Sequence, residues 1–388
     1  MLRVLTLATL FPDASRPTFG GFVERQTLGL AARDDVQLEV VAPIGVPIWP
    51  LNRHERYRIF RDIPEQEVWK DIIVHRPRFS VIPKIGGSLS PKAMARSLRP
   101  VLRAIHDRFP FDIIDAEFFY PDGPAAMRLA QEFTVPFSIK ARGTDIHYWG
   151  TRSGSGPQVL AAAQAADGLL AVSEALKDDM VALGMPGDTI AVHYTGVDKH
   201  RFKPIDRSRA KQDISVTGPL IVTVGALIAR KGQSLVIRAL QQIPEAQLWC
   251  IGEGEDRSSL ISLANQLGLA DRVHLAGNLP HDEVAKLVAA ADVMALPSAS
   301  EGLANAWVEA LSCGTPIVIS DAGGAKELLD RPEAGAIVDR DPQAIAAAIN
   351  AILAAPPDQQ AVRATVDRFS WEQNSAQLFA HLSSLVHR

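Results

Sequence analysis

Short apolar runs rich in Val, Ile and Leu punctuate this chain at residues 3–10, 38–42, 112–116, 137–141, 168–172 and 189–194. A second series follows at 220–224, 247–251, 273–276, 293–296, 316–319 and 335–338. Between most of them lie stretches of helical periodicity, for example 23–32, 125–132, 175–183, 235–242 and 284–291. Strands separated by helices predict βαβ units, hence parallel sheets covered on both faces. Two such series predict an α/β protein of two doubly wound domains. Residues 203–218 are polar, proline-bearing and without period, so the domains are expected at 1–203 and 204–369. The region 43–91 is irregular and rich in Pro, Arg and aromatics, which suggests insertions on the first domain. The tail 370–388 has helical periodicity again.

Composition narrows the class. With 388 residues and 47% apolar, the chain can bury a large core without staples. The two cysteines, Cys250 and Cys313, sit in apolar runs and read as core residues of a protein from a reducing compartment. The apolar start of the chain lacks a basic flank and a cleavage site, so it reads as a strand and a cytoplasmic location is expected. The net charge of −4 argues against a nucleic-acid binder. It conceals a basic stretch at 84–108, which holds Lys84, Lys92, Arg96, Arg99, Arg103 and Arg108 against the single acid Asp107.

Ligands bind at the carboxyl ends of parallel strands, where helix N-termini offer free N–H groups. Residues 298–324 (SASEGLANAWVEALSCGTPIVISDAGG) have this character. Glu301 follows an apolar strand, Gly302 permits a tight turn, and a helix is expected to start near Leu303. Glu309 would then lie roughly 9 Å along that helix at about 1.5 Å per residue. The N–H groups of Leu303, Ala304 and Asn305 would lie between two carboxylates. That arrangement suits a diphosphate flanked by hydroxylated groups. Taken alone, the two glutamates also read as ordinary solvated helix carboxylates. Gly20 and Gly21 sit between a strand and a helix, where backbone can approach a phosphate closely. Lys231 follows a strand and could reach a diphosphate as a point charge. Gly252–Glu253–Gly254 lacks the third glycine of a dinucleotide fingerprint, and residues 339–341 (DRD) read as a helix-entry turn rather than a metal motif.

The segment 298–324 resembles the signature of the family 4 glycosyltransferases, retaining nucleotide-sugar transferases of the GT-B fold. The likeness keeps the family's order along nearly the whole chain. It runs through FPDASRPTFGGFVERQ at 11–26, RGTD at 142–145, VSE at 172–174, TGVDKHRF at 195–202, GALIARKG at 225–232 and IGEG at 251–254. Within the family, FGGFVERQ, HRPRF, FFYPDGPAA and KARGTDI look most like the subgroup acting in teichuronic acid, colanic acid and other exopolysaccharide assembly.

The resemblance implies two Rossmann-like domains, with the tail helix crossing back onto the first. It implies a nucleotide-diphosphate sugar donor, a glycan or lipid-linked acceptor, and no metal or other cofactor. Glu301 is then assigned to the transferred sugar and Glu309 to the ribose. Lys231, Gly302 and the N–H groups of Leu303, Ala304 and Asn305 take the diphosphate, with Gly20 and Gly21 closing over it. Arg142 and Asp145 are expected near the donor sugar or acceptor. Two departures stand out. Ala226 occupies the usual place of an arginine facing the diphosphate, for which Arg230 or Arg142 could substitute. Arg142 stands where many relatives have a histidine. Lys92, Arg96, Arg99 and Arg103 recur on one helix face and are expected to meet anionic lipid at the inner face of the plasma membrane. A solvated basic face, an epimerase of the same fold and a non-catalytic sugar-binding protein stay open as alternatives.

Overall fold

The computed structural model describes residues 1–17, 19–60, 62–82 and 87–387, with Arg56 described in its backbone only. The chain divides into two compact units, Met1–Gly196 with Trp371–Arg388, and Val197–Ser370. The division thus falls at 196/197, ahead of the polar segment expected to carry it. Val197 still belongs with the second unit, since its N–H donates to Phe369 O (3.1 Å).

The first unit is built on an eight-stranded sheet. Its strands are β1 (Leu2–Leu7), β2 (Val36–Val41), β4 (Gln66–Trp69), β5 (Ile72–His75), β7 (Ile113–Ala116), β8 (Phe137–Ala141), β9 (Gly168–Ala171) and β10 (Ile190–Val192). Their order is β10-β9-β8-β7-β1-β2-β5-β4, all parallel except the terminal β4–β5 pair. Helices cover both faces, so β7, β8 and β9 are buried at every residue. A separate two-stranded ribbon pairs β3 (Ile44–Pro47) with β6 (Arg78–Val81). These four extra strands are the insertions of the irregular region. The β4–β5 hairpin turns at Lys70 and Asp71, both with positive φ, the geometry of a two-residue type I′ turn.

The tail forms helix Trp371–Val386 and belongs to the first unit. Its Leu378, Leu382 and Leu385, at i, i+4 and i+7, share a core with Leu2, Val4, Leu30, Val36, Ile113 and Leu170. Helix Ser90–Arg108 is amphipathic in the same way. It buries Met94, Ala95, Leu98, Leu102 and Ile105, and it exposes Lys92, Arg96, Arg99 and Arg103.

The second unit has a six-stranded, wholly parallel sheet. It comprises β11 (Leu220–Val224), β12 (Gln247–Ile251), β13 (Val273–Gly277), β14 (Val293–Leu296), β15 (Ile317–Ile319) and β16 (Gly335–Ile337), in the order β13-β12-β11-β14-β15-β16. The order reverses between β11 and β14 here, and between β1 and β7 in the first unit. Such switch points open a crevice at the carboxyl ends of the strands. Both cysteines are buried and free, and burial pushes the Cys250 thiol up to about 12 and the Cys313 thiol further still.

Candidate functional site

In the second unit the switch point brings two loops together. The loop after β11 ends in a 3-10 turn, Ala229–Lys231, and the loop after β14 carries Glu301. Ala299 N–H donates to Arg230 O (2.7 Å) and joins them. Lys231 Nζ lies 2.5 Å from Glu301 Oε1, and Arg230 Nη1 lies 3.7 Å from Glu301 Oε2 while donating to Ser300 O. The Lys231 and Glu301 side chains are 15% and 9% exposed, sheltered but reachable. Two cations thus converge on one carboxylate, although the sequence reading gave Lys231 and Glu301 to different parts of a ligand. Without a ligand they neutralise each other.

Gly323 explains the Gly-Gly element of the motif. Its φ is +53°, and a Cβ there would lie 2.3 Å from Glu301 O and 2.4 Å from Gly302 O. Gly324 N–H donates to Gly302 O (2.8 Å), so this turn props the Glu301 loop from behind.

The helix after Glu301 starts later than expected, at Asn305 and not near Leu303, and runs to Ser312 with Ala304 as its N-cap. The reason is local. Residues 301–304 remain extended or bent, because Gly302 is held from behind by Gly324. The free first-turn N–H groups therefore begin at Asn305, with Leu303 and Ala304 on the approach. Glu309 lies nearer the helix start as a result, roughly 6 Å along the axis from Asn305. Burial pushes its carboxyl up to about 7, against a smaller opposing pull from Arg201.

Ala226 is exposed and offers only its carbonyl, which accepts from Gln233 Nε2 (3.0 Å). Of the two suggested substitutes, Arg230 is the one beside Glu301. A third cation was not legible. Arg340 Nε donates to Pro297 O (2.9 Å), which sets its guanidinium against the Glu301 loop. Its neighbour Asp341 does cap the helix Pro342–Ala354, accepting from the N–H groups of Gln343 and Ala344. No local pattern marks the intervening arginine as a site residue.

In the first unit, Gly20 caps helix Gly21–Ala31 with φ +67°, and a Cβ there would lie 2.3 Å from Leu10 O. A glycine at position 20 is thus demanded by the fold itself. Gly21 differs, since a Cβ there meets nothing within 4 Å.

Behind this turn lies a buried polar network. Gln26 Nε2 donates to Glu117, and Lys140 Nζ donates to Gln26 Oε1 (2.5 Å) and His193 Nδ1 (2.7 Å). His193 Nε2 then donates to Asn374 O (2.8 Å) on the tail helix. Burial drives the Lys140 and His193 pKa values well below, and the Asp115 pKa well above, their usual ranges.

Arg142 and Asp145, expected near the donor sugar or acceptor, are both tied into the fold of their own turn. Arg142 is 6% exposed and clamps Glu117 through both its carbonyl (2.8 Å) and its carboxylate. Asp145 is wholly buried and accepts the N–H groups of Phe119 (3.0 Å), Arg142 (3.0 Å) and Gly143 (2.8 Å). Both position backbone, and the Arg142 guanidinium is engaged with Glu117. Nearby, the buried Asp122 accepts from Thr9 N (2.9 Å) and Thr9 Oγ1 (2.7 Å), fixing the loop after β1, and burial raises its carboxyl to about 7. Sequence reading passed over Lys140, Glu117 and Asp122. A lysine inside the apolar run FSIKA was the signal available.

The basic face of helix Ser90–Arg108 is partly neutralised, because Arg99 and Arg103 share Glu132 at 2.5 and 2.7 Å. Lys84 lies outside the described residues. No described helix is long and apolar enough to cross a membrane.

Residues 28–201 match the family described as Glycosyltransferase Family 4, and residues 204–368 match Glycosyl transferases group 1. TuaC of Bacillus subtilis, assigned to teichuronic acid biosynthesis as a glycosyltransferase, is 28% identical over 90% of this chain and 88% of its own. The sucrose-phosphate synthase of Thermosynechococcus elongatus superposes with a TM-score of 0.83 at 20% identity, over the full length of both chains. HepE of Anabaena, solved in complex with UDP, superposes with a TM-score of 0.75 at 21% identity, over 99% of this chain and 100% of its own. The fold is therefore GT-B, and the chain belongs to the family 4 glycosyltransferases.

Proposed function

We propose that this enzyme transfers a sugar from a nucleoside-diphosphate sugar to a glycan or lipid-linked acceptor, with retained anomeric configuration and without a metal ion. The observation that carries the reading is the Lys231–Glu301 pair at the β11/β14 switch point, beside the N-terminus of helix Asn305–Ser312. The likeness to TuaC supports an acceptor from cell-surface polysaccharide assembly, and HepE's complex supports a uridine nucleotide.

On binding, the donor diphosphate takes Lys231 and Arg230, together with the first-turn N–H groups of the helix. Glu301 exchanges its lysine partner for hydroxyls of the transferred sugar, and Glu309 accepts from the ribose. The acceptor hydroxyl oxygen then attacks the anomeric carbon on the face from which the diphosphate departs. The carbon–phosphate-oxygen bond breaks, the new glycosidic bond forms, and the hydroxyl proton passes to the leaving phosphate oxygen. The protein's part is position and stabilisation of the developing phosphate charge.

The acceptor's lipid would meet the first unit. Lys92 and Arg96 give anionic lipid about 1 kcal/mol each near its surface, while Arg99 and Arg103 are tied to Glu132 and give less.

The test is proton NMR of the product, with turnover compared between wild type and Glu301→Ala. An axial donor linkage should give an axial product, unchanged by EDTA, and Glu301→Ala should lose more than tenfold, over ~1.4 kcal/mol of barrier. An inverted product, or a variant retaining above about a tenth of the rate, overturns the reading.

A further inference from the structure

The first unit has its own switch point, between β1 and β7, and a cavity of about 280 Å³ lies there. Its wall takes Thr9 from the loop after β1, Pro43 from the loop after β2, Tyr120 from the loop after β7 and Trp149 from the helical turn Asp145–Gly150 after β8. Four parallel strands thus end at one space, which is where an open α/β sheet holds a ligand. The volume is at the small end for ligand sites, the room of one sugar ring. The donor assignment uses none of these residues.

The wall is aromatic and carries one charge. Phe60, Phe79, Tyr120 and Trp149 supply the rings. Tyr120 is buried and its hydroxyl donates to Gly87 O, so it is a fixed backing for Trp149, which stacks on it with ring centroids 4.9 Å apart and planes at 27°. A backed, half-buried indole is a flat and rigid apolar surface, suited to the C–H face of a pyranose. Arg16 is the one charged residue among the described residues that line the cavity. Its Nε and Nη2 donate to Asp13 Oδ2 (3.0 and 2.6 Å), and its guanidinium carbon lies 4.4 Å from the Phe19 ring centroid and 5.0 Å from that of Phe60. Asp13 is wholly buried and also accepts from Ser15 N (2.9 Å) and Arg16 N (3.0 Å), so it holds the guanidinium in one place. That leaves Nη1, with the second proton of Nη2, as the fork Arg16 offers a ligand. The backbone adds the same sign. Ser90 opens helix Ser90–Arg108 and Pro121 caps helix Asp122–Phe133, and both residues line the cavity, so two helix N-termini lie at its wall. Asp122, at the second of these, is wholly buried and committed to Thr9.

We propose that this cavity holds the sugar ring that accepts transfer, and that Arg16 selects a ring bearing a carboxylate, a uronic acid. The ring packs on Trp149, and the carboxylate takes two parallel N–H groups from the free fork of Arg16. One guanidinium matches one negative charge, whereas the double charge of a phosphate would ask for a second cation. The proposal rests on the reading of a glycan acceptor and names its class, but its test needs no turnover.

The experiment is a saturation-transfer NMR titration of the full chain with methyl glucuronide, methyl galacturonide, the amide of each, methyl glucoside and its 6-phosphate. Wild type should bind at least one uronide in the millimolar range. The matching amide and the glucoside should bind at least about tenfold more weakly, the worth of one charge-assisted hydrogen bond. Arg16→Gln should lose that preference, Arg16→Lys should keep part of it, and Trp149→Ala should lose the uronide altogether. Trp149→Ala and Arg16→Lys should keep the melting temperature and its shift with nucleotide. The comparison of acid with amide needs no variant, so it stands even where Arg16→Gln is destabilised by leaving Asp13 unpaired. The proposal is overturned if neither uronide binds, if the amide binds as well as the acid, if a folded Arg16→Gln keeps the preference, or if Trp149→Ala binds as wild type does. It is equally overturned if the 6-phosphate binds more tightly than the uronides, which would make this a site for a phosphorylated sugar. Failure of the donor assignment would show elsewhere, as a nucleotide response that Lys231→Ala retains while the uronide selectivity is unchanged.

Discussion

Replacing Glu309 by glutamine should make the protein more stable at pH 8 and leave it unchanged at pH 4. Folded, this carboxyl titrates at about 7, while a free glutamate titrates at 4.5. Between these values the unfolded chain has released its proton and the folded protein still holds it. The unfolded state then binds fewer protons, so stability falls as pH rises through that window and is flat beyond it. At about 1.4 kcal/mol per pH unit the full gap is roughly 3 kcal/mol. Glu309 is only partly buried, so about 2 kcal/mol is expected to remain after water reaches it. An isosteric neutral amide removes that cost. For a unit of this size about 2 kcal/mol is a rise of roughly 4–8 °C in Tm. The assay is paired thermal melts of wild type and Glu309→Gln from pH 4 to pH 8, using their difference so that other titrating groups cancel. The same variant should bind nucleotide more weakly at pH 8, because an ionised carboxylate is what accepts two ribose hydroxyls. A melting difference that stays constant across the pH range would refute the claim that Glu309 is held near neutrality by burial.

The two glycines of the first unit should part company. Gly20→Ala must give way against Leu10 O at positive φ and should lose about 1–3 kcal/mol of stability, whereas Gly21→Ala should melt like wild type yet lose activity, as its space is empty in the fold and wanted by a ligand; equal stability of the two variants in urea melts would contradict this. Arg230→Ala should weaken nucleoside-diphosphate affinity severalfold and Arg142→Ala should lower Tm instead, since only Arg230 faces Glu301; calorimetric titration and a melt separate the two. Lys140→Met should be tolerated far better than Lys140→Ala, because the neutral chain fills the buried site while alanine leaves a cavity among Gln26, Glu117 and His193; equal or reversed stability in melts would contradict the cavity argument.

Most of the sheet strands were readable because parallel strands buried on both faces appear as apolar runs. The run LRVLTL became β1 and LIVTV became β11. The four strands missed lie in the insertion, each four residues long. Their hairpin turns on Lys-Asp, where Asn-Gly would have announced it. The site shows the same contrast. Glu301, Lys231 and the Gly-Gly turn were legible as candidates because each follows a strand end. The pairing of Lys231 with Glu301 was not legible, because they are seventy positions apart and their contact depends on strand order. Arg142 and Asp145 have a part in the fold that spacing did not announce. A charged pair in a glycine turn looks like ligand chemistry, and only the buried Glu117 and the three N–H donors show that the turn itself needs them.

The most direct test of the donor site is a thermal-shift panel of UDP, GDP, ADP and their sugar conjugates against wild type and Lys231→Ala. A nucleotide at about 100 times its Kd adds roughly 2.7 kcal/mol, enough to raise Tm by several degrees. One nucleotide should stabilise wild type and leave Lys231→Ala unmoved. Equal stabilisation of both proteins would contradict the assignment of the diphosphate to the β11/β14 switch point.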